Sequence, residues 1–133
     1  MRYKVRKRWF FFDYIYFRIT DIYLKSGSMG EGTAIAAITM IEMFWFGGLL
    51  VLISRLFLER TETATYAKVA SFIGVVILVA VYVGNYHLYD GRYEELKEHW
   101  ANESQLRKTV NGFLVVACIF ISWIPLILVG LFW

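Results

Sequence analysis

The sequence predicts an all-α membrane protein with three transmembrane helices, an N-terminal amphipathic interfacial helix and a cytoplasmic helical loop, and three observations carry that prediction. Stretches 33–54, 69–88 and 112–133 are each apolar and about as long as the 20 residues a helix needs to cross a bilayer. The chain of 133 residues is 59% hydrophobic with a single proline, too apolar for a soluble domain of that length. Basic residues fall unevenly on the two sides that three spans define, and no stretch carries a strand signal. The whole of 1–133 reads as one membrane domain with no room for a separate soluble one.

The opening MRYKVRKR holds five of the fourteen Lys and Arg residues. Just ahead of a hydrophobic chain, Arg2, Lys4, Arg6, Lys7 and Arg8 are expected to face anionic lipid headgroups and to set topology, not to bind nucleic acid. Asp13, Arg18 and Asp21 interrupt the aromatic run that follows and no small-residue cleavage pattern appears, so this is not read as a signal peptide. Within the 1–31 arm, Phe12, Ile15, Tyr16, Ile19, Ile22 and Tyr23 keep the three-and-four spacing of one helical face, with Asp13, Thr20 and Asp21 opposite. Such a helix can lie in the cytoplasmic interface with Arg18 reaching lipid phosphate, or pack the same face on the bundle. SGSMGEG (26–32), with three glycines, then turns the chain into the membrane.

Span 33–54 is interrupted only by Glu42, and span 69–88 carries no formal charge, with Asn85 and His87 near its end. In loop 90–109, Asp90-Gly91 is a turn signal and RYEELKEHWANESQLRK reads as one surface helix. Glu94 with Lys97 and Glu103 with Arg107 have the spacing of supporting ion pairs, while Tyr93, Leu96 and Trp100 share a side that can rest on the bilayer or dock a cytoplasmic protein over 92–108. Pro125 is expected to kink span 112–133 and free a carbonyl near Ile121. Eleven basic residues lie on the side of the N-terminus and second loop, against Arg55, Arg60 and Lys68 on the other, which places the N-terminus inside and the C-terminus outside.

Small residues four apart let helix backbones approach in lipid: Gly32 and Ala36, Ala70 and Gly74, Ala80 and Gly84. Two such pairs in 69–88 predict that it is the central, tightly packed helix. Catalytic signals are weak by comparison. Glu95 and His99 are four apart, not in the Glu-x-x-His spacing of bundle di-metal sites, and have no second copy. Cys118 is the lone cysteine, and neither a phosphate-cradling glycine loop nor a nucleophile with a nearby base is present. No metal, cofactor or enzymatic activity is expected.

Glu42 is the exception within the apolar spans. A charged acid inside the membrane costs about 2.5–3.5 kcal/mol on insertion scales. No Lys, Arg or His lies within ten residues of it, Arg55 is roughly 20 Å away along a helix, and the other spans hold no Lys or Arg. Its expected partners are neutral: Thr39 one turn back, and Tyr82, Asn85 and His87 on the antiparallel second span. A hydrogen bond from Tyr82 to Glu42, with Asn85 and His87 continuing a polar line to the inner surface, would either fix helix register or serve a proton or cation. In a homo-oligomer Glu42 would form an acidic ring.

The segment NYHLYDGRYEELKEHWANESQLRKTVNGFLVV (85–116) resembles small, mostly uncharacterised bacterial multi-pass inner-membrane proteins with a Tyr-rich start and a Glu/Lys/Trp helix before a final span. It covers about a quarter of the chain and implies location in a bacterial inner (cytoplasmic) membrane, but no activity. The expected function is that of a non-catalytic integral membrane protein acting by assembly, in contact with membrane lipid and with copies of itself or other membrane subunits. The alternative is a homo-oligomeric ion channel, pore or proton-coupled transporter using Glu42.

Overall fold

Apolar chain in lipid must satisfy its own amides, and helices do so within each segment. The computed structural model describes residues 11–27, 30–57 and 59–131. The five basic residues Arg2, Lys4, Arg6, Lys7 and Arg8 lie outside them. Among the described residues there are six helices and no strand: α1 (Phe11–Lys25), α2 (Gly30–Phe57), α3 (Arg60–Tyr89), α4 (Tyr93–His99), α5 (Gln105–Ser122) and α6 (Ile124–Leu131). Three stretches are long and apolar enough to cross a membrane: Gly30–Phe57, Thr65–Tyr89 and Gln105–Leu131, the last formed by α5 and α6 together. At 28 residues α2 is about 42 Å long, more than the roughly 30 Å of a hydrocarbon core. Helix α1 packs beside the first turns of α2.

Of the two placements expected for the amphipathic helix, α1 packs on the bundle, but through more than the one predicted face. Asp13, Tyr14, Ile15, Tyr16 and Phe17 are all buried, and five consecutive residues at about 100° each go round the whole circumference. Exposure along α1 changes with distance along the helix, not with face: Ile22, Tyr23 and Leu24 in the last turn are exposed although two of them belong to the predicted apolar face. Asp13 and Thr20, predicted to face solvent, are buried because α4 and α2 cover the sides they occupy. The first half of α1 is thus interior, and the core centres on it together with Ile35, Ile38, Tyr89, Tyr93 and Leu96. Gly27, at φ +78°, ends α1 in the left-handed conformation that suits glycine, and the chain reverses into α2.

The expected single helix over 92–108 is divided. Helix α4 has only seven residues, the Glu103 amide donates to the Trp100 carbonyl (3.1 Å), and Ser104 caps α5 by accepting from the Arg107 amide (3.4 Å). A capping serine inside the sequence ends one helix and starts the next, so Glu103 and Arg107 do not share a helix. Tyr93 and Leu96 are buried within the chain, leaving Glu94 and Lys97 paired at 3.3 Å on the outside.

The central helix is α2 and not the expected second span in α3, because α2 touches α1, α3, α5 and α6. None of the apolar window of Thr65–Tyr89 is buried. The small-residue pairs account for the difference. A Cβ placed at Gly32, Gly74 or Gly84 would meet nothing within 4 Å, whereas one at Gly30 would lie 2.7 Å from the Thr20 carbonyl oxygen and one at Gly48 would lie 2.7 Å from Pro125 Cβ. Spacing shows where backbones can approach; the α1 hairpin and the Pro125 bend decide where they do. Pro125 has no N–H to reach the Ile121 carbonyl. Trp123 instead donates to Phe120 (3.1 Å) and Ile127 to Trp123 (3.0 Å), and the resulting bend seats the proline ring on Gly48.

Gly48→Ala should therefore lower stability by about 1–3 kcal/mol, since the rigid ring cannot yield without moving α6. Gly47→Ala, with open space at its Cβ, should be neutral or stabilising by up to about 1 kcal/mol. Thermal unfolding in detergent, followed by circular dichroism, compares the two.

Candidate functional site

Thr39 and Glu42 are three residues apart and share one face of α2, and Asn85 comes from the end of α3 that packs there. Asn85 Nδ2 donates to Glu42 Oε2 (2.6 Å) and to Thr39 Oγ1 (3.1 Å), and the Thr39 hydroxyl donates to the Ile35 carbonyl (2.9 Å). Asn85 is 8% and Thr39 2% exposed. One amide nitrogen with two hydrogens thus serves two acceptors across the helix pair. The carboxylate has the neutral partner its setting requires, but the partner is Asn85 and not Tyr82.

Tyr82, 39% exposed, lines a recess of about 290 Å³ between α2 and α3 with Ala36, Thr39, Met40, Leu78 and Val79. His87 is exposed, its ring edge-on to Tyr86 at 6.0 Å. Helix geometry explains the exclusion: His87 lies about 200° round the helix from Asn85, whereas Tyr89 is one turn on and faces the same way. The Tyr89 ring stacks on Tyr16 (4.9 Å, 21°), and its hydroxyl is engaged by Asp13, in the field of Arg92 and Glu42. Arg92 Nη1 donates to Asp13 Oδ1 (3.3 Å), its guanidinium lies 5.7 Å over the Tyr89 ring, and its Nε is 3.9 Å from Glu95. The polar line running out of the bundle therefore has two connected groups on one side of α3, Glu42 with Asn85 and, one turn on, Tyr89 with Asp13, Arg92 and Glu95. Asp13 is 3% exposed, and a buried ion pair holds only when both charges have further partners, as they do here. The sequence contains a signal for it that the helical face pattern obscured: Asp13 is an acid embedded in the aromatic run FFDYIYF.

Around this line α1 is clasped by a collar from α4 and the start of α5. Trp100 stands edge-on to Tyr14 (5.1 Å, 88°) and stacks on Phe17 (5.3 Å, 29°). The Tyr14 hydroxyl donates to Glu103 Oε2 (3.0 Å), whose other oxygen accepts from Asn111 Nδ2 (2.8 Å). The Tyr93 hydroxyl donates to Asp21 Oδ1 (3.0 Å), and Lys25 Nζ to Asp21 Oδ2 (2.7 Å). Burial, then the hydrogen bond to Glu103, pushes the Tyr14 phenol up to about 12. Burial, then Asp21, does the same for Tyr93, also to about 12. Tyr16 is raised by burial and by the Glu31 charge. Burial works to raise the Asp21 carboxyl, but the hydrogen bonds from Lys25 and Tyr93 and the charges of Lys25 and Arg18 outweigh it and hold the group below 3.8.

Chemically, the arrangement is a network of hydrogen bonds and ion pairs in which a few buried donors, Arg18 Nε and Arg92 Nε included, have no hydrogen-bond partner among the described residues. Among the described residues no group of three His, Cys, Asp or Glu side chains converges as a metal site, and Cys118 is half-buried in α5. Of the residues singled out from the sequence, Glu42, Thr39 and Asn85 come together. Tyr82 and His87 stand apart from them, and Arg18 lies elsewhere, 6.0 Å over the Tyr14 ring. Ala70 and Ala80 are exposed on α3.

Two outcomes follow from this geometry. Asn85→Ala leaves Glu42 and Thr39 without their shared donor and should cost about 1–3 kcal/mol in thermal unfolding. Glu42→Gln keeps an acceptor for Asn85, so its loss should be smaller, and Tyr82→Phe should have no effect. The raised phenols mean that the folded state holds their protons more tightly than the unfolded chain. Their contribution is complete below the ordinary value of 10.0 and is lost as pH rises towards 12. The unfolding midpoint should fall over that interval, and Tyr14→Phe should remove part of the fall. No known protein family, curated protein or solved structure matches this chain.

Proposed function

We propose that this protein is a non-catalytic integral membrane protein that acts by assembly, with copies of itself or as an accessory subunit of a membrane complex. The observation that supports this most is the state of α3. Apolar exposure alone says little, since lipid is as apolar as leucine. Small residues are different, because they serve close approach of helix backbones, and on α3 Gly74 and Gly84 have open space where a side chain would sit. A helix with two small-residue pairs thus lacks, among the described residues, a close neighbour at those two glycines. The distribution of Lys and Arg supports an N-terminus on the cytoplasmic side and a C-terminus outside, and the resemblance over 85–116 supports a bacterial inner membrane.

A second reading, a homo-oligomeric channel or proton-coupled transporter, has the polar line from Glu42 to Arg92 in its favour. It requires ion flux in liposomes that is lost with Glu42→Gln. The hydrogen bonds that Asn85 gives Glu42 and Thr39 favour a carboxylate that sets the register of α2 against α3, so assembly remains the leading reading.

Light scattering of the detergent-solubilised protein should give a particle of more than one chain, or one that co-purifies with another membrane protein. Gly74→Leu and Gly84→Leu should reduce it to the 15.6 kDa chain without lowering the unfolding temperature, because neither position has a neighbour to displace. A wild-type protein that is a lone chain and co-purifies with nothing contradicts the proposal.

A further inference from the structure

A cleft of about 470 Å³ opens between α1, α4 and the first turn of α5, within the range of roughly 300–1,000 Å³ of small-ligand sites. Four of its lining residues are cations, Arg18, Lys25, Lys97 and Lys108, against the single carboxylate of Asp21, and Trp100 supplies an aromatic wall. Asp21 already has both oxygens engaged, by Lys25 at 2.7 Å and by the Tyr93 hydroxyl at 3.0 Å, and its one charge, shared between Lys25 and the nearby Arg18, leaves the cleft with a net excess of cations. Lys97, on the rim, has the exposed Glu94 at 3.3 Å as its one carboxylate among the described residues and lies 5.5 Å over the Tyr93 ring. Among the described residues Arg18 and Lys108 have no carboxylate within ion-pair distance. Arg18 lies over the Tyr14 ring at 6.0 Å, and its Nε is buried with no hydrogen-bond partner. A buried donor without an acceptor is costly, and Arg18, unlike Arg92, which shares the trait, lines the cleft.

Arg18 and Lys108 line the same cleft. Arg18 reaches from α1 to α5, where a Cβ on Gly112 would lie 3.6 Å from its Nη2. Gly112 is one turn after Lys108, so both are on the same face of α5. A planar guanidinium fork beside a lysine point charge matches the tetrahedral oxygens of phosphate better than a lone lysine would. Trp100 offers the mixed apolar and polar surface that suits the headgroup region of a bilayer.

We infer that this cleft binds a phosphate group, with Arg18 and Lys108 as its principal contacts, Lys97 at the rim and Trp100 alongside. Its placement favours the headgroup of an anionic phospholipid, because Lys108 sits at the start of the membrane-crossing stretch Gln105–Leu131 and therefore near the interface. A soluble phosphate ester shares the same chemistry. The inference does not rest on the assembly reading and holds for a single chain as well as for a subunit.

The test uses the full chain in dodecyl maltoside, with retention of phosphatidylglycerol measured by native mass spectrometry and phosphatidylcholine as the neutral reference. Lys108→Gln and Arg18→Gln should each weaken phosphatidylglycerol retention at least tenfold. Lys68→Gln, which removes the same charge from α3 outside the cleft, should leave it unchanged. Added salt should weaken the wild-type interaction. Competition separates the sources: a lipid site is not emptied by millimolar glycerol 3-phosphate or inorganic phosphate, whereas displacement by either keeps the phosphate site and overturns the lipid source. Should Arg18→Gln fail to fold, the rim variant Lys97→Gln/Lys108→Gln decides with the same tenfold expectation. Retention unchanged in the folded cleft variants, or reduced equally by Lys68→Gln, overturns the inference.

Discussion

The clasp of α4 and Trp100 around the first half of α1 is the interaction on which the rest of this structure depends. Inside hydrocarbon, apolar helices gain little by leaving lipid for one another. At the end of the bundle that carries α1 and α4, where charged and polar side chains gather, Ile15, Tyr16, Phe17, Tyr93 and Leu96 are buried together, and wherever water reaches that end the hydrophobic effect favours their burial. The core is therefore at that end. Two local contacts inside the apolar stretch then fix the other helices on α2: the Asn85 bridge to Glu42 and Thr39 holds α3, and the seat of Pro125 on Gly48 holds α6.

Helix α1 also connects the two polar features of the molecule. Asp13 joins Arg92 and Tyr89 in the line that leads to Glu42, while Arg18 and Asp21, on another side of the same helix, line the basic cleft. In the ion pair of Asp13 with Arg92 the carboxylate is buried and the guanidinium partly so, and withdrawing charge from water is costly enough that further partners matter. The Tyr89 hydroxyl, the Tyr89 ring and Glu95 supply what the pair lacks. A shift of α1 would disturb the cleft and the line to Glu42 together.

The three long helices were legible because an apolar run of 20 residues has few other solutions, and Pro125 announced its own bend. The surroundings of α1 were not, because a periodic pattern identifies one apolar face and is silent on whether a short helix 80 residues later covers the opposite one. Tyr14, Phe17 and Asp21 are spaced as a second face, but its meaning depends on Tyr93 and Trp100. Glu42 needed a neutral partner, and that much followed from charge alone. The choice of Asn85 over Tyr82 depends on the rotation of α3, which hydropathy does not specify. The glycines show the same limit: Gly30 and Gly48 are in close contact and Gly74 and Gly84 are not, although all four are equally small.

Amide hydrogen exchange in nanodiscs tests most directly whether α1 is core and not an interfacial float. The account predicts that residues 13–20 exchange as slowly as residues 34–41 of α2, and that Trp100→Ala accelerates both together while residues 66–77 of α3 keep their wild-type rates. Fast exchange across 13–20 beside a protected α2, or protection of α1 that Trp100→Ala does not alter, would contradict it.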